Sequence, residues 1–133
     1  MVVHSEIKVR GYHLDMFRHV NNARYLEFLE EGRWAFFDKN PRFFYRLKGV
    51  TFFVVNININ YRRPAALGDV LDVQTRLSKI GNTSGVLRQE IYNEKNGDLI
   101  VDADITFVIT DAKTQKPLNL KDQFNDVFSD FTS

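Results

Sequence analysis

A chain of 133 residues with 18 Lys plus Arg against 17 Asp plus Glu carries a formal charge of +1. That balance is too even to steer it to nucleic acid or an anionic membrane. There is no cysteine, which removes disulfides, thiolate nucleophiles and cysteine metal sites together. Hydrophobic residues make up 44% and charged residues 26%, as expected of a soluble globular protein forming one domain over 1–133. The 12 phenylalanines against a single tryptophan supply enough apolar surface for a core and an apolar slot.

The first ten residues, MVVHSEIKVR, alternate too soon and carry too much charge for a signal peptide. No apolar run approaches the roughly twenty residues that span a bilayer, so a cytoplasmic protein is expected. Residues 6–10 place Ile7 and Val9 on one face and Glu6, Lys8 and Arg10 on the other, the pattern of a half-buried strand. From Asn22 to about Asp38 the period becomes helical. Arg24, Glu27, Glu31 and Asp38 form a polar stripe with Glu30 at its edge, opposite a wide arc of Tyr25, Leu26, Phe28, Leu29, Gly32, Ala35, Phe36 and Phe37. A helix so apolar is enclosed rather than laid on a surface.

Pro41 ends this helix, and Phe43–Leu47 can add a short turn. Strand patterns follow. In 54–63, Val55, Ile57, Ile59 and Tyr61 oppose Asn56, Asn58, Asn60 and Arg62; in 70–79, Leu71, Val73, Thr75 and Leu77 oppose Asp72, Gln74, Arg76 and Ser78. The stretch 81–85 reads as a turn, a weaker strand runs from about Val86 to Asn93, and Asn96-Gly97 signals a hairpin. Leu99, Val101, Ala103, Ile105, Phe107 and Ile109 then alternate strictly, and Leu120, Phe124, Val127, Phe128 and Phe131 suggest a terminal amphipathic helix. Short turns predict antiparallel neighbours throughout. One greasy helix needs a concave sheet to cover it, so the expected class is α+β: a long central helix wrapped by a curved antiparallel sheet of about five strands, the hotdog arrangement. Its open edges invite pairing between subunits.

The polar residues concentrate at the mouth of the helix. Asp15 lies seven residues before Asn22, too far to be its N-cap; Asn21 or Asn22 can fill that role. Asp15 alone is read either as a loop carboxylate bonded to amides or as a catalytic acid. His19 is either a loop bridge or a general base. Asn21, Asn22 and Ala23 sit where helix N–H groups would face a substrate carbonyl. Arg33, inside the apolar arc, requires a partner, and Glu30 or a strand carboxylate is expected. Arg62 and Arg63 are either solvated charges or a clamp for phosphates.

Two stretches, VRGYHLDMFRHVNNARYLEFLEEGRW and FVVNININYRRPAALGD, resemble the acyl-CoA thioesterases of the hotdog superfamily, the group that includes 4-hydroxybenzoyl-CoA thioesterase. Within it the chain looks most like the bacterial long-chain acyl-CoA thioesterases of the FadM type, with a likeness running from about Ile7 to Asp111. The resemblance implies hydrolysis of acyl-CoA to free fatty acid and CoA, without metal or organic cofactor. It implies catalytic roles for Asp15 and His19, with Asn21, Asn22, Ala23, Tyr25, Arg62 and Arg63 around the substrate. The plant acyl carrier protein thioesterases carry a similar run with an Asn midway between Asp and His; here Phe17 holds that place, which favours Asp15 as the main catalytic group. The family's habit and the exposed sheet edge together suggest a homodimer or homotetramer, the Asn56, Asn58 and Asn60 face being available for stacking.

No Gly-x-Ser-x-Gly elbow or glycine-rich phosphate loop is present. His4, His13 and His19 lack metal-ligand spacing. The rival readings are a non-catalytic acyl-CoA sensor, an assembly protein whose greasy helix is only core, and, less favoured for want of a helix histidine, a dehydratase.

Overall fold

Alternating side chains build five strands in the computed structural model, which describes residues 1–132. In chain order the elements are β1 (Val3–Lys8), α1 (Asn22–Asp38), α2 (Pro41–Arg46), β2 (Val50–Tyr61), β3 (Val70–Ile80), β4 (Ser84–Asn93), β5 (Leu99–Asp111), α3 (Leu120–Gln123) and α4 (Asn125–Thr132). The strands form one antiparallel sheet in the order β1-β3-β4-β5-β2, with α1 packed on one face. This is the expected hotdog architecture.

α1 runs over the span its periodicity predicts, and Asn21 caps it by accepting from the Ala23 amide at 2.8 Å. Leu29 and Phe36 are wholly buried and Tyr25, Phe28 and Phe37 nearly so, whereas Leu26 at the arc's margin is 39% exposed. Against them the sheet presents Leu71 and Val73 of β3, Leu87 and Ile91 of β4, and Val101, Ala103, Ile105, Phe107 and Ile109 of β5. The predicted inward sets of the two long strands are thus the core, apart from the half-buried ends Leu77 and Leu99.

Helix and sheet meet most closely at Gly32. A Cβ there would lie 2.6 Å from Val73 Cγ1, 2.9 Å from Gln89 Nε2 and 3.0 Å from Thr75 Oγ1. Thr75 and Gln89 have no exposure at all, so no neighbour is a free end that can swing away. Gly32→Ala is therefore expected to destabilise by about 1–3 kcal/mol through overpacking, outweighing the helix-propensity gain of up to about 1 kcal/mol. A urea titration checks this; an unchanged or raised midpoint would contradict the close approach.

Three expectations need correction. β2 and β3 are joined by a short link yet are not neighbours: β2 pairs β5 at one edge, and β3 lies between β1 and β4. The chain over 62–69 therefore crosses the end of the sheet rather than turning back as a hairpin. β2 also begins four residues earlier than its alternation suggests, at Val50, and a bulge between Val54 and Asn56 resets its parity. Phe52 is consequently half-buried ahead of the bulge and Ile57 and Ile59 after it, leaving Val55 56% exposed instead of inward. Finally, the terminal helix is two short ones meeting at Phe124, although Leu120, Phe124, Val127, Phe128 and Phe131 are all buried as expected. Phe131 stacks on Phe36 of α1 with ring centres 4.3 Å apart.

Candidate active site

The segment before α1 is a tight reversal. The Asp15 amide donates to the His19 carbonyl at 2.9 Å and the Arg18 amide to the Asp15 carbonyl at 3.1 Å, with Leu14 bridged to Val20 across the base. Arg18 takes a left-handed φ of 65° to close the turn. Asp15 braces its own turn: Oδ1 accepts from the Phe17 amide at 2.8 Å, the side-chain-to-backbone bond that aspartate makes readily. Oδ2 has no protein partner among the described residues and is free to act on something else.

Two further contacts fix this reversal against the rest of the fold. The Val20 amide donates to the Ala65 carbonyl at 2.9 Å and the Asn21 amide to the His13 carbonyl at 2.9 Å. His13 is a buried brace that the sequence did not mark. Its Nδ1 accepts from the Arg10 amide at 2.9 Å, and its ring meets Phe28 edge-on at 4.9 Å. Burial, helped by the nearby Arg24 charge, pushes the imidazole below its usual range, so the ring is neutral at pH 7 and able to accept.

These ties decide which amides at the start of α1 remain open. Asn21 N–H goes to His13, Ala23 N–H to the Asn21 side chain, and Arg24 N–H to the Asn21 carbonyl. Asn22 N–H, the first donor of a 17-residue helix, has no acceptor among the described residues. Of the segment Asn21–Ala23 expected to supply donors, Asn22 is the amide left over. It carries the positive end of the helix dipole. Tyr61 reaches the same place from the end of β2, its hydroxyl donating to the Asn22 carbonyl at 3.3 Å.

Asp15, His19, Asn22, Tyr25, Arg62 and Arg63 line one cleft of about 310 Å3, whose remaining wall includes Phe17, Val20, Tyr61 and Pro64. Residues separated by nearly fifty positions thus converge at the helix N-terminus. Each sequence-marked residue has a distinct situation. His19 is exposed, its backbone bridged to Ala66, and no hydrogen bond or ion pair joins its ring to Asp15 among the described residues. Tyr25 is 2% exposed and its hydroxyl accepts from the Ala65 amide at 3.2 Å. Burial, the largest influence, raises that phenol above its usual range, so it stays protonated and holds the 62–69 link in place.

Arg62 is exposed, as the simpler reading has it, but one edge of its guanidinium is tied down. Its Nε donates to Asp102 Oδ2 at 2.6 Å, while Asn60 Nδ2 donates to Asp102 Oδ1 at 2.9 Å and Arg88 stands 3.6 Å away. Asp102 is 3% exposed. The hydrogen bond from Arg62 holds its carboxyl below the ordinary range despite burial. With Nε so fixed, the guanidinium's outer N–H groups have no partner among the described residues. The amides of Arg62 and Arg63 both donate to the Ile100 carbonyl, at 2.8 and 3.2 Å. In sequence Asp102 is one of several polar residues on the β5 face opposite Val101 and Ala103, with Asp104, Thr106 and Thr110, and nothing local singles it out.

Arg33 departs from expectation. Its Nη1 donates to Gln89 Oε1 at 3.1 Å, and it forms no ion pair with Glu30 or a strand carboxylate among the described residues. Gln89 lies at the centre of β4, facing α1 where Gly32 lets the helix approach. A neutral amide buried there can accept from Arg33 without adding a second buried charge.

Residues 9–128 match the family model of the thioesterase-like superfamily. The long-chain acyl-CoA thioesterase FadM of Escherichia coli K12 is 50% identical over 123 residues, covering 92% of this chain and 93% of that protein. The putative acyl-CoA thioesterase YneP of Bacillus subtilis is 33% identical over 125 residues, covering 92% and 89%. Among solved structures, the probable thioesterase YbaW from Escherichia coli superposes with a TM-score of 0.92 at 47% identity, over 98% of this chain and 99% of that one.

Proposed function

Because the chain belongs to the thioesterase-like superfamily and hydrolyses acyl-CoA thioesters, we propose that its substrates are long-chain acyl-CoAs and that Asp15 drives their cleavage at the N-terminus of α1. One observation carries this reading: Asp15, whose second carboxylate oxygen has no protein partner among the described residues, lines the same cleft as Asn22, whose amide is the open one. The thioester carbonyl oxygen accepts from Asn22 N–H, where the helix dipole favours the negative charge that develops in the transition state. Asp15 then either takes a proton from the attacking water or attacks the carbonyl carbon itself, giving a mixed anhydride that water opens. In both routes the tetrahedral intermediate collapses by expelling CoA as its thiolate, and the acyl group leaves as the free acid. His19, on the same rim but unbonded to Asp15, orients the water. Arg62 and Arg63 receive the CoA phosphates, and no cofactor enters the reaction.

Thiol release from acyl-CoAs of graded chain length tests the substrate assignment. Each methylene buried is worth up to about 0.8 kcal/mol, so kcat/KM is expected to climb severalfold or more over a few added carbons. A maximum at acetyl-CoA, or preference for an aromatic thioester, would overturn the long-chain assignment and spare the reaction class.

A homodimer is part of the same proposal. β2 is an edge strand whose Phe53, Val54 and Val55 are 49%, 37% and 56% exposed, and Leu26 and Trp34 of α1 are likewise exposed. An open edge with that apolar margin favours pairing with a second copy. The polar face of Asn56, Asn58 and Asn60 leaves room for a tetramer. Light scattering is expected to give at least twice the 15.6 kDa of one chain; a fully active monomer on dilution would refute it. Among the described residues no helix is long and apolar enough to cross a membrane, and the acyl-CoA substrate supports a cytoplasmic location.

A further inference from the structure

Asp102 is a buried carboxylate in a place where the fold does not need one. It lies on the face of the sheet turned away from α1. Gln89 reaches the Leu29 carbonyl of the helix, so its neighbours Arg88 and Glu90 point outward, and Glu90 and Asn60 are the cross-strand partners of Asp102. A valine would fill that strand position without the cost of desolvating a charge. Asp102 is instead only 3% exposed, with Arg62, Asn60 and Arg88 around its carboxylate.

The two arginines that meet it are in different states. Arg88 is shared among three carboxylates, 3.4 Å from Asp104, 3.6 Å from Asp102 and 3.9 Å from Glu90, and is largely covered. Arg62 pairs through Nε alone, and 54% of its side chain stays in solvent. Its backbone is anchored as well, its amide donating to the Ile100 carbonyl at 2.8 Å. A guanidinium held by Nε presents its two terminal nitrogens as a fork, the geometry that matches a phosphate. Arg62 directly follows Tyr61, whose hydroxyl reaches the start of α1, so the fork stands beside the Asp15 cleft but on the outward side of the sheet. A CoA thioester seated at Asn22 carries its phosphates at the far end of the pantetheine arm, outside that cleft.

We propose that Asp102 is a positioning residue for the substrate: with Asn60 it aims the Arg62 fork at a phosphate of the CoA moiety, and so sets the preference for CoA thioesters over phosphate-free ones. The inference rests on the phosphate role proposed for Arg62. Its sign is diagnostic. The Asp102 charge by itself repels a phosphate, so a residue acting through charge alone would improve binding when neutralised. A residue acting by aiming Arg62 weakens binding when lost.

The test compares kcat/KM for a long-chain acyl-CoA with that for the matching acyl-pantetheine, which has no phosphate, using the intact protein. The wild type is expected to prefer the CoA ester by about tenfold or more, the span of a charge-assisted hydrogen bond. Asp102→Val, which suits a strand and removes a buried charge, should cut that preference by about threefold or more, through KM rather than kcat. A merely structural loss would lower both substrates alike and leave the ratio unmoved. Asp102→Asn should restore most of the preference, since the asparagine oxygen still accepts from Arg62 Nε and Asn60 can turn its amide to accept from the new nitrogen. In an Arg62→Ala background, Asp102→Val should change the preference no further. An unchanged or raised preference in Asp102→Val, or a loss that adds in full to that of Arg62→Ala, would overturn the inference. If Arg62→Ala itself leaves the preference intact, the phosphate role falls and the inference with it. A loss with Arg62→Ala but none with Asp102→Val overturns the positioning role alone.

Discussion

Asp15→Asn is expected to lower kcat by about a hundredfold or more while KM and folding change little. The structure makes this substitution unusually clean. The turn depends on one carboxylate oxygen accepting from the Phe17 amide, and an asparagine oxygen can accept the same bond. What disappears is the basicity and nucleophilicity of the oxygen that faces the cleft. Since the group acts after the substrate is seated, loss should fall on kcat rather than KM. Thermal melting is expected to be held or slightly raised, because a charge without a countercharge among the described residues has been removed from a half-buried position. His19→Ala should cost less, its ring being exposed and unbonded to Asp15. If the folded Asp15→Asn protein keeps more than half the wild-type kcat, Asp15 is a loop brace and His19 becomes the first candidate for the chemistry.

Replacing Arg62 and Arg63 together with Ala is expected to raise KM for acyl-CoA by about tenfold or more and leave kcat largely intact, as when charge-assisted bonds that hold ground state and transition state equally are lost. The salt dependence of KM should flatten at the same time, since a screened attraction has gone. The two arginines differ in one respect that a single substitution exposes. Arg62 also neutralises the buried Asp102, so removing it leaves a carboxylate with only Asn60 and the more distant Arg88 for support, and stability should fall as well. Arg63 has no such duty among the described residues, and Arg63→Ala should change KM without a stability cost. An unchanged KM for the double variant at low ionic strength would return both side chains to a surface role.

Local rules made α1 and its approach readable. Asn21 is a strong capping residue at the point where the period turns helical, and both ends of the helix lie where those signals put them. The inward faces of β3 and β5 were equally plain, because strict alternation over ten or more residues admits one assignment of faces. Reading failed where long-range packing decides. The order β1-β3-β4-β5-β2 cannot be inferred from the length of the 62–69 link, since an eight-residue connection can either turn back or cross a sheet end. The Val54–Asn56 bulge inserts one residue into an otherwise regular alternation, so Val55 leaves the face that Ile57 and Ile59 keep. Arg33 shows the same limit at the level of a single side chain. Helical spacing pointed to Glu30, but the acceptor is Gln89, 56 residues away, brought in because Gly32 lets β4 come close.

The chemistry around Asp15 was legible as a cluster because its members are close in sequence. Its working arrangement was not. Which amide stays open depends on His13, Asn21 and the Asn21 side chain together, and the posture of Arg62 depends on Asp102, forty residues further on. His13 and Asp102 are supporting residues with unremarkable local sequence, and only the fold identifies them.

The most direct test of the central claim is a crystal structure of the inactive Asp15→Asn protein with a long-chain acyl-CoA bound. The thioester carbonyl oxygen is expected within hydrogen-bond reach of Asn22 N–H, about 2.7–3.2 Å, with residue 15 beside the carbonyl carbon and the CoA phosphates against Arg62 and Arg63. A thioester seated away from the α1 N-terminus, with Asn22 N–H bonded only to water, would contradict the account.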